Sequence, residues 1–214
     1  MDRKLLKSLI AVTAIALTAC SSQPTKTSAE TPDASAAAKQ APAGPPQPVP
    51  AKTAFWEMYK PAYAWASDML CIGLKSGEVT GIKNADGKAG VWIAVFASPS
   101  KQQMRTYTYS VADQLPDLVK GVKAGFPEPW PGPTKDVMAF KTSDFSVDSD
   151  VAFKTAMGKA ETWLKEKDNA EKPVSMNLGA AQRFPAPVWA VTFGNAKSGY
   201  LALVNAATGE IITK

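Results

Sequence analysis

The sequence predicts an α+β protein: two helix-plus-antiparallel-sheet units in tandem, after a signal peptide and a disordered linker. Three observations carry this. Apolar residues recur at helical spacing in "FWEMYKPAYAWASDML" and again in "SVDSDVAFKTAMGKAETWLKEK", and short strand-like runs follow each. The strand "GVWIAVF" has an echo in "PVWAVTF", with Val91-Trp92 and Phe96 recurring as Val188-Trp189 and Phe193, each 97 residues on. Aromatic residues begin only at Phe55, so the folded part starts near there.

The N-terminus reads as an address. A basic head (Arg3, Lys4, Lys7) precedes an apolar stretch from Leu9 to Ala19, too short for a permanent membrane span of roughly 20 residues. It ends in Leu17-Thr18-Ala19-Cys20, which resembles the lipobox of bacterial lipoproteins. That resemblance implies cleavage before Cys20, acylation of its sulfur with fatty chains such as palmitate, and a stable anchor from more than one chain. Ser21 after the cysteine, in place of Asp, implies the outer membrane, with the protein facing the periplasm. Residues 20–54 then form a Pro/Ala-rich disordered tether.

The first unit spans 55–112. Phe55, Tyr59, Ala62, Tyr63, Ala66, Met69 and Leu70 make the apolar stripe of a helix that kinks or restarts at Pro61. "LCIGLKSGEVTGIK" is extended, Asp86-Gly87 is a turn, "GVWIAVFAS" is a buried strand, and "MRTYTYSV" returns with Tyr107 and Tyr109 on one face. Residues 113–145 are a Pro/Gly-rich connection holding a short strand or two. The second unit, 146–214, opens with Ser and Asp caps on a helix whose inner side has Val151 or Ala152, Met157 or Ala156, Ala160, Trp163 and Leu164. Extended "PVSMNLGAAQRF", strand "PVWAVTF", strand "YLALVN", a turn in "AATGE" and a last strand "IIT" complete it.

The segment "VWAVTF...GYLALVNAATGEII", with the helix before it, resembles the PepSY module over residues 146–214. Trp189, Val191 and Phe193 would pack on the helix through Trp163 and Met157, while Gly209 supplies a positive φ. Asn205 stands where the family commonly has Asp, and the first unit resembles the module only in its helix and its "VW...F" strand. The resemblance implies a non-enzymatic domain of secreted and envelope proteins, proposed to inhibit or chaperone partners.

Composition narrows the chemistry. The chain has no histidine, which excludes Ser-His-Asp and Cys-His catalysis and histidine-ligated zinc. Cys71 has no evident base beside it and reads as a buried thiol. Asp144, Asp148 and Asp150 lack the glycine and distal Glu of a calcium loop, and capping and dipole complementarity at a helix start explain Asp148 and Asp150. No cofactor or metal is expected. The net charge of +5 falls to +3 without residues 1–19, and the basic residues are dispersed, which argues against nucleic acid. Partners are therefore expected to be the membrane, through the lipid, and an envelope protein or peptide. The candidate surface is Arg105, Tyr107, Tyr109 and Trp130, Trp130 being either an exposed platform in "FPEPWPGP" or a stiff loop folded onto the domain. The alternative is a small-molecule or lipid pocket between helix and sheet, lined by Trp65, Trp92 and Trp189.

Overall fold

The computed structural model describes residues 44–213 apart from 167, 185 and 196. The signal peptide, Cys20 and most of the tether lie outside the described residues. Helix α1 covers Ala51–Trp65, so it begins before the first aromatic residue, inside the stretch expected to be tether. The reason is packing: Ala51 and Ala54 are fully buried, and small side chains let the helix start closely against its neighbours. Aromatic content reports where large core residues begin, not where the helix does. Pro61 sits at an exposed position inside α1 without ending it.

Seven antiparallel strands form one sheet in the order β4-β3-β2-β1-β5-β6-β7. These are β1 (Leu70–Gly77), β2 (Val91–Ser98), β3 (Gln103–Ser110), β4 (Gly121–Pro129), β5 (Val174–Gly179), β6 (Val188–Phe193) and β7 (Tyr200–Asn205). The central pair, β1 and β5, is short, joined through Leu74–Leu178 and Lys75–Asn177. Outward from it the two halves repeat each other. Helix α1 packs over β2 and β3, and α2 (Ser149–Leu164) packs over β6 and β7. The indole N–H of Trp92 donates to the Val49 carbonyl at 2.9 Å, and that of Trp189 donates to the Val147 carbonyl at 2.9 Å. Phe55 of α1 lies 5.5 Å from Phe96, and Phe153 of α2 lies 6.0 Å from Phe193. Exchanging the halves therefore maps helix, strands and buried side chains onto one another, as two subunits map in a two-fold dimer.

Both halves feed one core. Trp92 and Trp189, both fully buried, meet edge to face at 6.2 Å, and Phe145 joins Phe55 to Trp189 by two further edge contacts. On α2 the buried stripe is Ala152, Ala156 and Ala160, whereas Val151 and Met157 are exposed. The expected contact of Met157 with β6 is thus corrected: alanines bring the helix axis close to the sheet and turn the larger neighbours outward. Trp163 does reach Phe193, at 6.5 Å. Tyr63, expected on the inner stripe of α1, is 52% exposed.

The helix starts meet. Asp148 is the N-cap of α2, and its carboxylate accepts from Ser149 N–H at 2.7 Å and from Lys52 N–H of α1 at 3.0 Å. Ser149 Oγ accepts from Ala51 N–H at 2.8 Å. Pro50, the N-cap of α1, makes no side-chain cap bond, so residues of the second half cap the first helix.

The 113–145 segment holds more than a short strand, because β4 extends the sheet by nine residues. Its prolines fit an edge. Trp130 N–H donates to the Gln102 carbonyl, so by alternation the ring nitrogens of Pro127 and Pro129 point away from β3, where no donor is needed. Farther on, Met138–Phe140 enters the fork where β1 and β5 splay apart. Phe140 exchanges both backbone bonds with Cys71, at 3.1 and 2.8 Å, and Met138 N–H donates to the Ala180 carbonyl at 2.9 Å. The wedge seals that end of the seam, with Phe140 buried.

Candidate functional site

The four residues expected to form a surface are used structurally. Arg105, Tyr107 and Tyr109 alternate onto the face of β3 that α1 covers, so they do not form an exposed patch. Tyr107 is fully buried against Phe96, 5.8 Å away, and burial raises its pKa. Tyr109 is partly buried, and burial, with the nearby Glu57 charge, raises its pKa as well. Arg105 donates through Nε to the Gly125 carbonyl at 2.7 Å, satisfying an acceptor where the β3–β4 register slips, and its guanidinium stacks over Tyr107. Trp130 is only partly exposed and its backbone continues the β3 ladder. The error has a simple origin: a period of two places residues on one face but does not say which face a helix covers.

Cys71 is fully buried, and desolvation pushes its thiol up to about 12, leaving no thiolate at neutral pH. Asp144 accepts from Lys141 N–H at 3.0 Å, Asp148 caps both helices, and Asp150 accepts from Val151 N–H at 2.8 Å. Among the described residues no group of three or more metal-ligating side chains comes together.

The pocket alternative does not take its expected form. Trp92 and Trp189 are both fully buried and pack edge to face against each other in the core. Trp92 does border a cavity with Phe153, Val174 and Met176, of about 40 Å³. That holds a water or two, whereas ligand pockets run to roughly 300 Å³ and more.

The two sheet edges differ. Edge strand β4 carries outward prolines, a register slip and Lys123, the devices that discourage further pairing. Edge strand β7 carries none of them. The C-terminal segment runs beside it for a short way: Asn205 N–H donates to the Glu210 carbonyl and Ile212 N–H to the Leu203 carbonyl, each at 2.8 Å. Asn205 and Gly209 set that turn, Asn205 Oδ1 accepting from Ala207 and Thr208 N–H while Gly209 takes φ 80°. By alternation the outward backbone groups of β7 belong to Leu201, Leu203 and Asn205, and those of Leu201 have no partner among the described residues. Leu201 is 50% exposed, beside a groove of about 410 Å³ bordered by Lys159, Tyr200, Leu203 and Ile212.

Sequence reasoning missed this edge, although "YLALVN" without proline was the available signal. It also missed Trp56, 48% exposed, which with Tyr63 forms an aromatic ridge on α1.

Among the described residues no helix is long and apolar enough to cross a membrane. No family model matches the chain, and no curated protein matches it. A crystal structure from Clostridium difficile 630, described as "a putative lipoprotein (CD1622)", is similar at 14% identity over 78% of this chain and 91% of that one, with a TM-score of 0.48. A likeness at that score carries no weight for fold or function.

Proposed function

We propose that this is a lipid-anchored, non-enzymatic envelope protein of two tandem PepSY-like units, acting by binding a protein or peptide partner along the open edge of β7. Cys20 is the lipid-bearing residue, residues 21–47 are the tether, and the body faces the periplasm from the outer membrane. The lipobox-like Leu17-Thr18-Ala19-Cys20 supports the anchor, and the absence of histidine supports a binding role over catalysis. The observation that carries the binding reading is the contrast between a blunted β4 and a β7 whose Leu201 backbone has no partner among the described residues and whose side chain is half exposed. A partner strand would gain main-chain hydrogen bonds there, and the groove beside Lys159 and Tyr200 would select its side chains.

A photo-crosslinking residue is placed at Leu201 or at Phe126, 87% exposed on β4, in the full-length lipidated protein within its native envelope. Capture of one recurrent partner from Leu201 and none from Phe126, lost when Leu203→Pro removes an outward N–H, is the expected result. Equal capture from both edges would remove β7 as the site.

A further inference from the structure

We infer that the aromatic strip of α1 is a lipid-facing surface, which docks on the bilayer that holds the protein's own acyl chains. This rests on the lipid-anchor reading of Cys20 and not on the β7 reading.

Helical spacing builds the strip. Lys52, Trp56, Tyr59 and Tyr63 follow one another at intervals of four, three and four residues, so they line one flank of α1 beside its buried row. Trp56 is 48% exposed and Tyr63 52%. Tyr59, partly buried, ties them to the core: its ring meets Trp56 edge to face at 5.2 Å, stacks on Tyr63 at 6.0 Å and reaches Phe96 at 6.5 Å. The rings are thus held in place beforehand, and docking orders little that is not ordered already.

The second helix argues that the fold does not require this strip. Phe55 meets Phe96 as Phe153 meets Phe193, and the buried Ala54, Met58 and Ala62 correspond to Ala152, Ala156 and Ala160. The same alignment sets Lys52, Trp56, Tyr59 and Tyr63 against Asp150, Lys154, Met157 and Glu161. A helix in the equivalent place therefore folds with charges where α1 exposes aromatic rings, and packing on the sheet accounts for neither Trp56 nor Tyr63. Charge differs in the same direction. The strip of α2 has an acid at each end, whereas that of α1 has a lysine at one end and no acid. Trp and Tyr, apolar rings with polar tips, settle at the headgroup level of a bilayer, and a lysine beside them suits anionic lipids.

The path of the chain selects lipid over other partners. Gly44–Gln47 are exposed and α1 begins at Ala51, so α1 is the element by which the body hangs from its anchor. From Cys20 to Gly44 the chain reaches at most about 85 Å even when fully extended. Docking within that reach is intramolecular, so two exposed rings, too small an apolar area to hold a free protein on a bilayer, suffice to orient an anchored one. Lipid is the partner that the anchor keeps beside α1 at all times, whereas a protein must arrive by diffusion.

The test uses the full-length protein, produced with its signal peptide and reconstituted in vesicles of phosphatidylethanolamine and phosphatidylglycerol whose acyl chains carry bromine near the headgroup, a contact quencher of indole fluorescence. The protein should float with the vesicles and emit less than in unbrominated ones. That difference should be lost in Trp56→Phe, which removes the reporter and keeps a ring. Tyr63→Glu, which keeps the reporter and installs the residue type of α2, should cut the quenching severalfold with an unchanged denaturant midpoint. Three outcomes overturn the inference. Equal quenching of wild type and Trp56→Phe in protein that floats means that the strip faces away from lipid, and it leaves the anchor standing. Quenching that Tyr63→Glu does not alter reduces the contact to Trp56 alone, without a strip. Failure to float removes the anchor reading, and this inference with it.

Discussion

The first half of the body adds a full fourth strand, β4, to the outer side of β3, while among the described residues the second half offers the equivalent side of β7 only the short run Glu210–Thr213. The first half receives its helix cap from Asp148 and Ser149, and the second half carries those caps itself. One end of the seam is wedged by Met138–Phe140, and among the described residues no segment fills the other. The halves agree in their tryptophan strands and in the indole bonds to the chain before each helix, and differ most where backbone is left at an edge. A packed core tolerates few alternatives, so repeated units keep it, whereas edges and forks are free to diverge.

The largest test of this comparison is the tryptophan pair. Trp92→Ala and Trp189→Ala should each cost about 3–5 kcal/mol in denaturant unfolding, and closely similar losses are expected because both occupy equivalent places in one core. A loss confined to one of them would break the equivalence.

Asp148→Ala comes next. Removing one carboxylate that accepts from both helices should cost about 2 kcal/mol, the upper end for a cap, and should speed amide exchange at Lys52 as well as Ser149. Faster exchange at Ser149 alone would mean that α1 does not depend on the second half for its cap.

Tyr107→Phe should cost less, about 1 kcal/mol or under, because the hydroxyl lies 3.5 Å from the Pro61 carbonyl while the ring does the packing. A loss several times larger would show that the hydroxyl anchors α1 to β3.

The smallest effect is acid sensitivity of the first half. Asp68 accepts from the Ser98 hydroxyl at 2.7 Å and from Ser100 N–H at 2.8 Å, which lowers its pKa from 3.8 to about 2. A depressed carboxylate stabilises the fold above its unfolded value, and the contribution is lost as pH falls from about 3.8 through about 2. The loop between α2 and β5 is instead held within itself by Asn169, whose Nδ2 donates to the Trp163 carbonyl. Faster exchange at Ser100 below pH 4, with Asn169 steady, is the expected pattern, and equal change at both would remove the distinction.

Much of the plan was legible in the chain. The recurrence of Val91-Trp92 and Phe96 marked two matching strands, since each strand needs the same inward residues above its helix. Asp86-Gly87 read as a turn, and both residues have positive φ, 52° and 73°. The candidate surface was not legible, because Arg105, Tyr107 and Tyr109 share a face by periodicity alone and only the placement of α1 turns it inward. Nor was β4 legible: Pro127 and Pro129 argue against a strand unless the neighbour on one side is solvent, and edge position is a property of the whole sheet.

By itself the sequence determined the α+β class, the two helices and the repeated tryptophan strands, because these rest on local chemistry and short-range periodicity. Only the tertiary structure decided that both halves share one sheet, that Asp148 caps both helices, which edge is blunted, and which end of the seam Met138–Phe140 fills. Those outcomes depend on residues roughly a hundred positions apart meeting in space, as Ala51 and Ser149 do, and no local pattern encodes which distant backbone groups will find each other first.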